Sequence, residues 1–438
     1  MNQASDGPLA KILKSLSKIE PHEIKATVLS FLLVMTLMAS YYILRPVRDA
    51  MASDWSDAEV SMLWTINFLF SFIFVAIYGF AASKLAVKKL VPSVFLFFAT
   101  TFVIFYLGTS YVENPTLIDK SFYVWVSVFA LFPVSLFWSF MADIYRKDQS
   151  KRLFGVITTG ASIGAMVGPS IPLIFSELGT YNLMLVAAII LVLTIPLIGY
   201  LRTLDFTNDE QQSGITPVAA FEPLGGNPLA GFKLFLTNPF LLGIGMFLFL
   251  YTGIGTFIYF ELKNLMVDLS REERTEIWAF MDLATNTLTV LTGFFITSRL
   301  TTRFGLGLTL ALLPLVVVAG LLSVAMVPLL AVVVGLQIFR RGGNYAITRP
   351  AREMLFTYVD QETRFKAKQV IDIIVYRGGD VFWGWAFTLL TTVIGLGMAG
   401  VALVGAGIAT LWTVIAFYLG RQTEHIDKSE AQSVKTES

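Results

Sequence analysis

Runs of about twenty consecutive apolar residues, separated by short polar stretches, set the strongest limit on what this chain can fold into. An apolar run of that length buries its own peptide groups only as a helix, because hydrocarbon offers no hydrogen-bond partner to the backbone. The alternative, a barrel, needs strands of about ten residues with strict in–out alternation, and no such pattern occurs. Composition agrees: 55% of the 438 residues are hydrophobic, 14% are charged, and the mean hydropathy is +0.70. Soluble domains carry about a quarter charged residues. The chain therefore reads as an all-α polytopic membrane protein.

The runs place about twelve membrane helices. The first six lie at 26–44, 60–82, 90–110, 121–142, 155–176 and 182–202. The second six lie at 239–260, 276–298, 305–326, 328–348, 369–396 and 399–420. This divides the chain into a polar segment 1–25, a bundle 26–202, a polar linker 203–238, a second bundle 239–420 and a tail 421–438. Residues 8–20 form either a surface amphipathic helix or a disordered tail. The first apolar run begins too late and is too long for a cleaved signal peptide.

Several function classes are disfavoured. The net charge of +1 provides no field to attract nucleic acid. There is no cysteine, and His22 and His425 sit near the termini, so thiolate chemistry and a histidine metal cluster in the membrane are not expected. No GxxxxGK[ST] sequence occurs, and Gly395-x-Gly397-x-x-Gly400 lacks the preceding strand that a dinucleotide fingerprint requires. The expectation is a non-enzyme without cofactor or metal, surrounded by membrane lipids. Basic residues concentrate in alternate loops: Lys84, Lys88 and Lys89; Arg146, Lys147, Lys151 and Arg152; Arg299 and Arg303; Arg349, Arg352, Arg364, Lys366 and Lys368. The positive-inside rule then puts both termini in the cytoplasm of a bacterial inner membrane.

The two halves carry related motifs. Ser83-Lys84-Leu85-x-x-Lys88 is answered by Ser298-Arg299-Leu300-x-x-Arg303, 215 residues on. Asp148-Gln149-x-x-Arg152-Leu153 is answered by Asp360-Gln361-x-x-Arg364-Phe365, 212 residues on. Same order and near-equal spacing point to duplication. Two six-helix pseudo-repeats joined by a linker describe the major facilitator architecture, in which a solute binds between halves that rock around it.

Charge inside a membrane helix is costly and marks candidate functional residues. Arg45 and Arg48 end the first run, three residues apart around Pro46 and followed by Asp49. On a continuing helix they share a face and form a fork for phosphate or carboxylate; otherwise they are interfacial arginines reaching headgroups. Arg340, Arg341 and Asn344 interrupt the tenth run. Asp372, Tyr376, Arg377 and Asp380 lie in the eleventh, with the spacing of one-sided pairs. Such a set serves as an anion site with a switching counter-charge, or as a static pair fixing helix packing. Asn67 aligns with Asp282 across the repeat, and a lone membrane aspartate is a protonation site, an arginine partner or a hydrogen-bonding group. Asp143 closes the fourth run. Gly160, Gly164 and Gly168, followed by Pro169, share one helix face and allow close helix approach.

Three segments resemble the nucleotide exchange transporters, the ATP/ADP translocase family of plastids and intracellular bacteria: YYILRPVRDA (41–50), FWSFMADIYRKDQSKRLFG (137–155) and RFKAKQVIDIIVYRGGDVFWG (364–384). The resemblance implies that Arg48 meets substrate phosphate and that Lys366, Asp372 and Arg377 belong to the second half of the site. It departs from the family pattern at Arg48, where a lysine is expected, and at Pro46. The resulting expectation is a secondary transporter exchanging an anionic, phosphorylated solute such as ATP and ADP. Arg45, Arg48, Arg340, Arg341, Asn344, Lys366, Tyr376 and Arg377 would bind it, while Asp49, Asn67, Asp143, Asp282, Asp372 and Asp380 would couple or gate. The alternatives are proton-coupled transport of another organic solute, and a lipid-handling or scaffold protein.

Overall fold

The computed structural model describes residues 19–84, 87–131, 133–204, 230–293, 297–360, 367–368 and 370–437. Most of the 8–20 segment, most of the linker, and Gln361, Arg364 and Lys366 fall outside this set. Every regular element among the described residues is helical. In chain order these are α1 (Ile24–Met51), α2 (Asp57–Lys84), α3 (Val87–Tyr111), α4 (Thr116–Phe129), α5 (Pro133–Ile144), α6 (Lys147–Ile174), α7 (Asn182–Val192) and α8 (Thr194–Thr203). There follow α9 (Ala230–Thr237), α10 (Pro239–Leu265), α11 (Arg271–Gly293), α12 (Thr297–Met326), α13 (Leu330–Gly343), α14 (Arg349–Leu355), α15 (Tyr376–Thr388) and α16 (Met398–Glu437).

Nine segments among the described residues are long and apolar enough to cross a membrane. They cover nine of the expected spans. The other three expected spans, 276–298, 328–348 and 369–396, contain the charged helices α11, α13 and α15, and π-helical turns flank the last two at Asn344–Thr348, Val370–Val375 and Leu389–Val393. A π turn leaves the regular i−4 ladder, a departure that concentrates at functional sites.

Local sequence explains the breaks. Pro133 lacks an amide and disfavours helix in the residue before it, so the fourth expected span divides into α4 and α5. Gly305, at φ 75°, interrupts α12 in a conformation that only glycine adopts without strain. At N1 of α10, Pro239 follows the capping Asn238, whose side chain accepts from the amides of Phe240 and Leu241. Helix α1 continues through Pro46 to Met51, past the expected end near residue 44, and so carries Arg45, Arg48 and Asp49 on its final turns.

The helices form two compact units. Unit 1 comprises residues 1–51, 69–224 and 270–283; unit 2 comprises 52–68, 225–269 and 284–438. The first part of α2 thus packs within unit 2, and the first part of α11 within unit 1. In unit 1, α1 packs on α6 and α3 on α7; in unit 2, α10 packs on α15 and α12 on α16. This repeated pairing is what duplicated halves produce.

The α1–α6 contact follows from the glycines. A Cβ built on Gly160, Gly164 or Gly168 would lie 2.5, 2.2 or 2.6 Å from the carbonyl oxygens of Phe31, Met35 and Ala39 respectively. Three residues at fourfold spacing on one helix meet three at fourfold spacing on the other. Among lipids, which are as apolar as leucine, such van der Waals packing is a main source of helix association.

Candidate functional site

Unit 2 concentrates buried positive charge. At the end of α13, Arg340 and Arg341 are buried, as is Gln337 one turn earlier. Gln337 Oε1 accepts from Arg340 Nε at 3.0 Å, and the guanidinium carbon lies 5.3 Å from the centre of the Tyr251 ring on α10. Gly255, one turn from Tyr251, makes the space: a Cβ there would sit 3.0 Å from Arg340 Nη1. Among the described residues no carboxylate lies within ion-pair distance of Arg340. Tyr345 and Tyr376 adjoin Tyr251, and the Asp380 carboxylate lies in the field of both Arg377 and Arg340. Arg377 and Asp380 are half-buried on α15, one turn apart, and do not close into an ion pair. Asn344, half-buried, starts the π turn after Arg341. Among the described residues, Arg340 and Arg377 face the single carboxylate Asp380 within walls of tyrosine, with Arg341 alongside, which leaves more positive than negative charge here. That arrangement suits an anion with several oxygen acceptors.

In unit 1 the charges balance. Asp49 Oδ1 accepts from Arg48 Nε and Nη2 at 2.9 and 2.6 Å, and Arg48 Nη1 donates to Ser127 Oγ at 3.2 Å. Arg45 approaches Asp49 at 3.7 Å and Asp282 at 3.4 Å. The guanidiniums also stand near the rings of Tyr42 and Tyr123. Arg45 and Arg48 thus share the end of α1, as their spacing implied, but carboxylates already occupy both. Asp282 takes the arginine-partner role among its three expected readings. Asn67 is buried on α2, within unit 2.

Asp372 is drawn away from Tyr376 and Arg377: it pairs with Arg352 of α14 at 3.3 Å, and Arg352 also holds Glu353 at 3.2 Å. Glu353 additionally pairs with Lys368. Burial opposes ionisation of Glu353, but Lys368 and Arg352 outweigh it and hold its carboxyl below the usual range. Asp143 is exposed on α5.

Several residues that sequence reasoning missed prove central. Glu23, just before α1, is the target of the first Asp-Gln-x-x-Arg motif: Arg152 donates to its two oxygens at 3.0 and 2.8 Å, and Gln149 donates at 3.1 Å. Burial would raise the Glu23 pKa, but these hydrogen bonds hold it below its ordinary value. Nearby, burial pushes the Tyr145 phenol, bonded to Ser30 at 2.9 Å, up to about 12. Buried Asp119 on α4 pairs with Arg271 at 2.7 Å and accepts from Tyr181 at 3.2 Å. Lys263, 1% exposed, pairs with Asp57 at 2.8 Å. Only the charged residues flanking apolar runs could have flagged these; their partners come from distant runs that spacing does not connect.

Comparison with known proteins agrees with this architecture. The bacterial homologue of the human lysosomal transporter Spinster, in an inward-facing, unoccupied conformation, superposes with a TM-score of 0.60 at 13% identity, over 93% of this chain and 99% of that one. The nucleoside transporter NupG superposes with a TM-score of 0.62 at 17% identity, over 91% and 99%. At these identities the likeness is one of fold. No curated protein sequence matches significantly. The profile of the Major Facilitator Superfamily matches residues 30–356, three quarters of the sequence, and the chain belongs to that superfamily.

Proposed function

We propose that this multi-pass membrane protein is a secondary transporter of an anionic, phosphorylated solute, with nucleotide exchange such as ATP against ADP as the leading case. The observation that carries the reading is Arg340: a buried guanidinium held by Gln337 and Tyr251, without a carboxylate at ion-pair distance, beside Arg341 and Arg377. With Asp380 acting on it only from beyond ion-pair distance, this buried charge is incompletely compensated, which is expensive, and a solute anion relieves that cost when it binds. Tyr376 and Asn344 supply polar contacts, and Asp380 serves as the counter-charge when the site is empty. The resemblance to the nucleotide exchange transporters adds Arg48 and Lys366 as candidate phosphate-binding cations. The three family-like segments favour a nucleotide within the anionic class, and the basic loops favour cytoplasmic termini in a bacterial inner membrane.

The test is uptake of labelled ATP into proteoliposomes that are either preloaded with ADP or empty. Uptake confined to preloaded vesicles is the expected result. No uptake into either, by protein shown to be folded, refutes the nucleotide; failure of organic phosphates and carboxylates to shift its thermal unfolding would refute the anionic class.

A further inference from the structure

Arg340 sits in a socket made by two packed helices of unit 2, α10 and α13. Gln337 and Arg340 are three apart on α13 and so share a face. A helical side chain leans toward the N-terminus of its helix. That lean carries the Arg340 guanidinium back over the turn holding Gln337, where Nε donates to Oε1 at 3.0 Å. On α10, Tyr251 and Gly255 are four apart. The Tyr251 ring centre lies 5.3 Å from the guanidinium carbon, and the missing side chain of Gly255 leaves room for Nη1. Gln337, Arg340 and Tyr251 are all buried.

The partner that α13 gives Arg340 carries no charge. Arginine is almost never fully buried unless it is paired, and unit 1 follows that rule: Arg48 gives its Nε hydrogen to a carboxylate, Asp49 Oδ1, at 2.9 Å. Arg340 gives the same hydrogen to an amide oxygen. The amide fixes the plane of the guanidinium as a carboxylate does, but leaves its charge. Asp380 acts on that charge only from beyond ion-pair distance. With Nε spent on Gln337, the four N–H groups of Nη1 and Nη2 remain for the Tyr251 hydroxyl and for a solute. Such a planar pair of donors matches two oxygens of a phosphate or carboxylate.

We propose that Gln337 is the specificity-determining residue of this site: its neutral amide orients Arg340 without neutralising it, so the solute itself brings the close counter-charge as a phosphate or carboxylate group. Gln337 acts through Arg340 and is a positioning residue. The inference rests on the anionic reading above and adds what makes the site anionic. Glutamate has the shape of glutamine. At this position it keeps the hydrogen bond to Nε and supplies the counter-charge, closing Arg340 as Asp49 closes Arg48.

Two variants of the full chain separate charge from geometry. Gln337→Glu keeps the acceptor and adds a charge; Gln337→Met keeps the length and removes the acceptor. Affinity is read from the rise in thermal unfolding midpoint of detergent-purified protein titrated with ATP, pyrophosphate or citrate. Gln337→Met should weaken binding roughly 10-fold, the low end for a lost hydrogen bond to a charged group. Gln337→Glu should weaken it roughly 100-fold or more, because a like charge is then set against the incoming anion. A purely structural role gives the reverse order, since glutamate preserves the hydrogen bond and methionine does not. Binding by Gln337→Glu as tight as or tighter than by Gln337→Met overturns the proposal and leaves the anionic reading in place, because the native protein still responds to anions. Should Gln337→Glu fail to fold, Gln337→Met decides: native affinity in that variant overturns the proposal, and the 10-fold loss supports it. No response of the native protein to any of the three anions removes the anionic reading and this inference together.

Discussion

Gly164→Ala tests the helix contact on which unit 1 is built. The added methyl would sit 2.2 Å from the Met35 carbonyl oxygen, 2.9 Å from its carbon and 3.0 Å from its Cα. Comfortable carbon contacts start at about 3.5 Å, so α1 and α6 must separate by roughly 1 Å locally. All three atoms are backbone, and no rotamer change relieves the overlap. Moving the helices apart also loosens the contacts at Gly160 and Gly168, one turn away on each side. Overpacking of this kind costs about 1–3 kcal/mol, and the top of that range applies where only backbone can give. Gly155→Ala on the same helix is the control, because nothing lies within 4 Å of its Cβ position. There alanine gains helix propensity, about 0.5–1 kcal/mol relative to glycine. Thermal unfolding of the purified variants in detergent should show Gly164→Ala well below native protein and Gly155→Ala at or above it. Equal midpoints for the two variants would refute the close α1–α6 approach.

Two further outcomes follow from the charged clusters. Arg340→Ala and Arg377→Ala should abolish transport without preventing insertion; removal of a hydrogen bond to a charged group costs about 1.5–3 kcal/mol, or roughly 10- to 150-fold in solute affinity. Arg340→Lys should fail almost as badly, since lysine cannot keep the planar fork that Gln337 orients; normal uptake by these variants would remove Arg340 and Arg377 from the site. Glu23 has a folded pKa held below 4.5, so its contribution to stability is present above 4.5 and is lost as pH falls through the lowered value. Thermal unfolding against pH should therefore show an acid limb in native protein that flattens in Glu23→Gln, and an unchanged limb in that variant would locate the acid sensitivity elsewhere.

How much of this was legible in the sequence differs by kind of information. The membrane fold and the close-packing glycines followed from periodicity and apolar run length, because both are local properties of one helix. The charged residues inside apolar runs, Arg340, Arg341, Arg377 and Asp380, stood out because hydrocarbon tolerates so few of them. Its own charges make α11 the least apolar of the long helices, while α13 and α15 are short because π turns border them. The partners were not legible. The Asp-Gln-x-x-Arg motif announced itself by repetition, yet its target Glu23 lies more than a hundred residues away. Arg45 and Arg48 looked like a vacant anion fork, but the structure fills it with Asp49 and Asp282, the latter on a helix from the other repeat.

The sequence by itself thus determined that the backbone must be helical, where the apolar runs lie, and which of their positions carry an expensive charge. Each of these depends on the free energy of one segment in hydrocarbon. Only the tertiary structure decided which charges cancel and which remain. Coulomb energy depends on distances of a few ångströms between residues far apart in the chain, and those distances are set by how the helices pack. That is how, among the described residues, Arg48 comes to be neutralised by Asp49, Arg340 has no carboxylate within ion-pair distance, and the buried Oε1 of Glu261 has no hydrogen-bond donor.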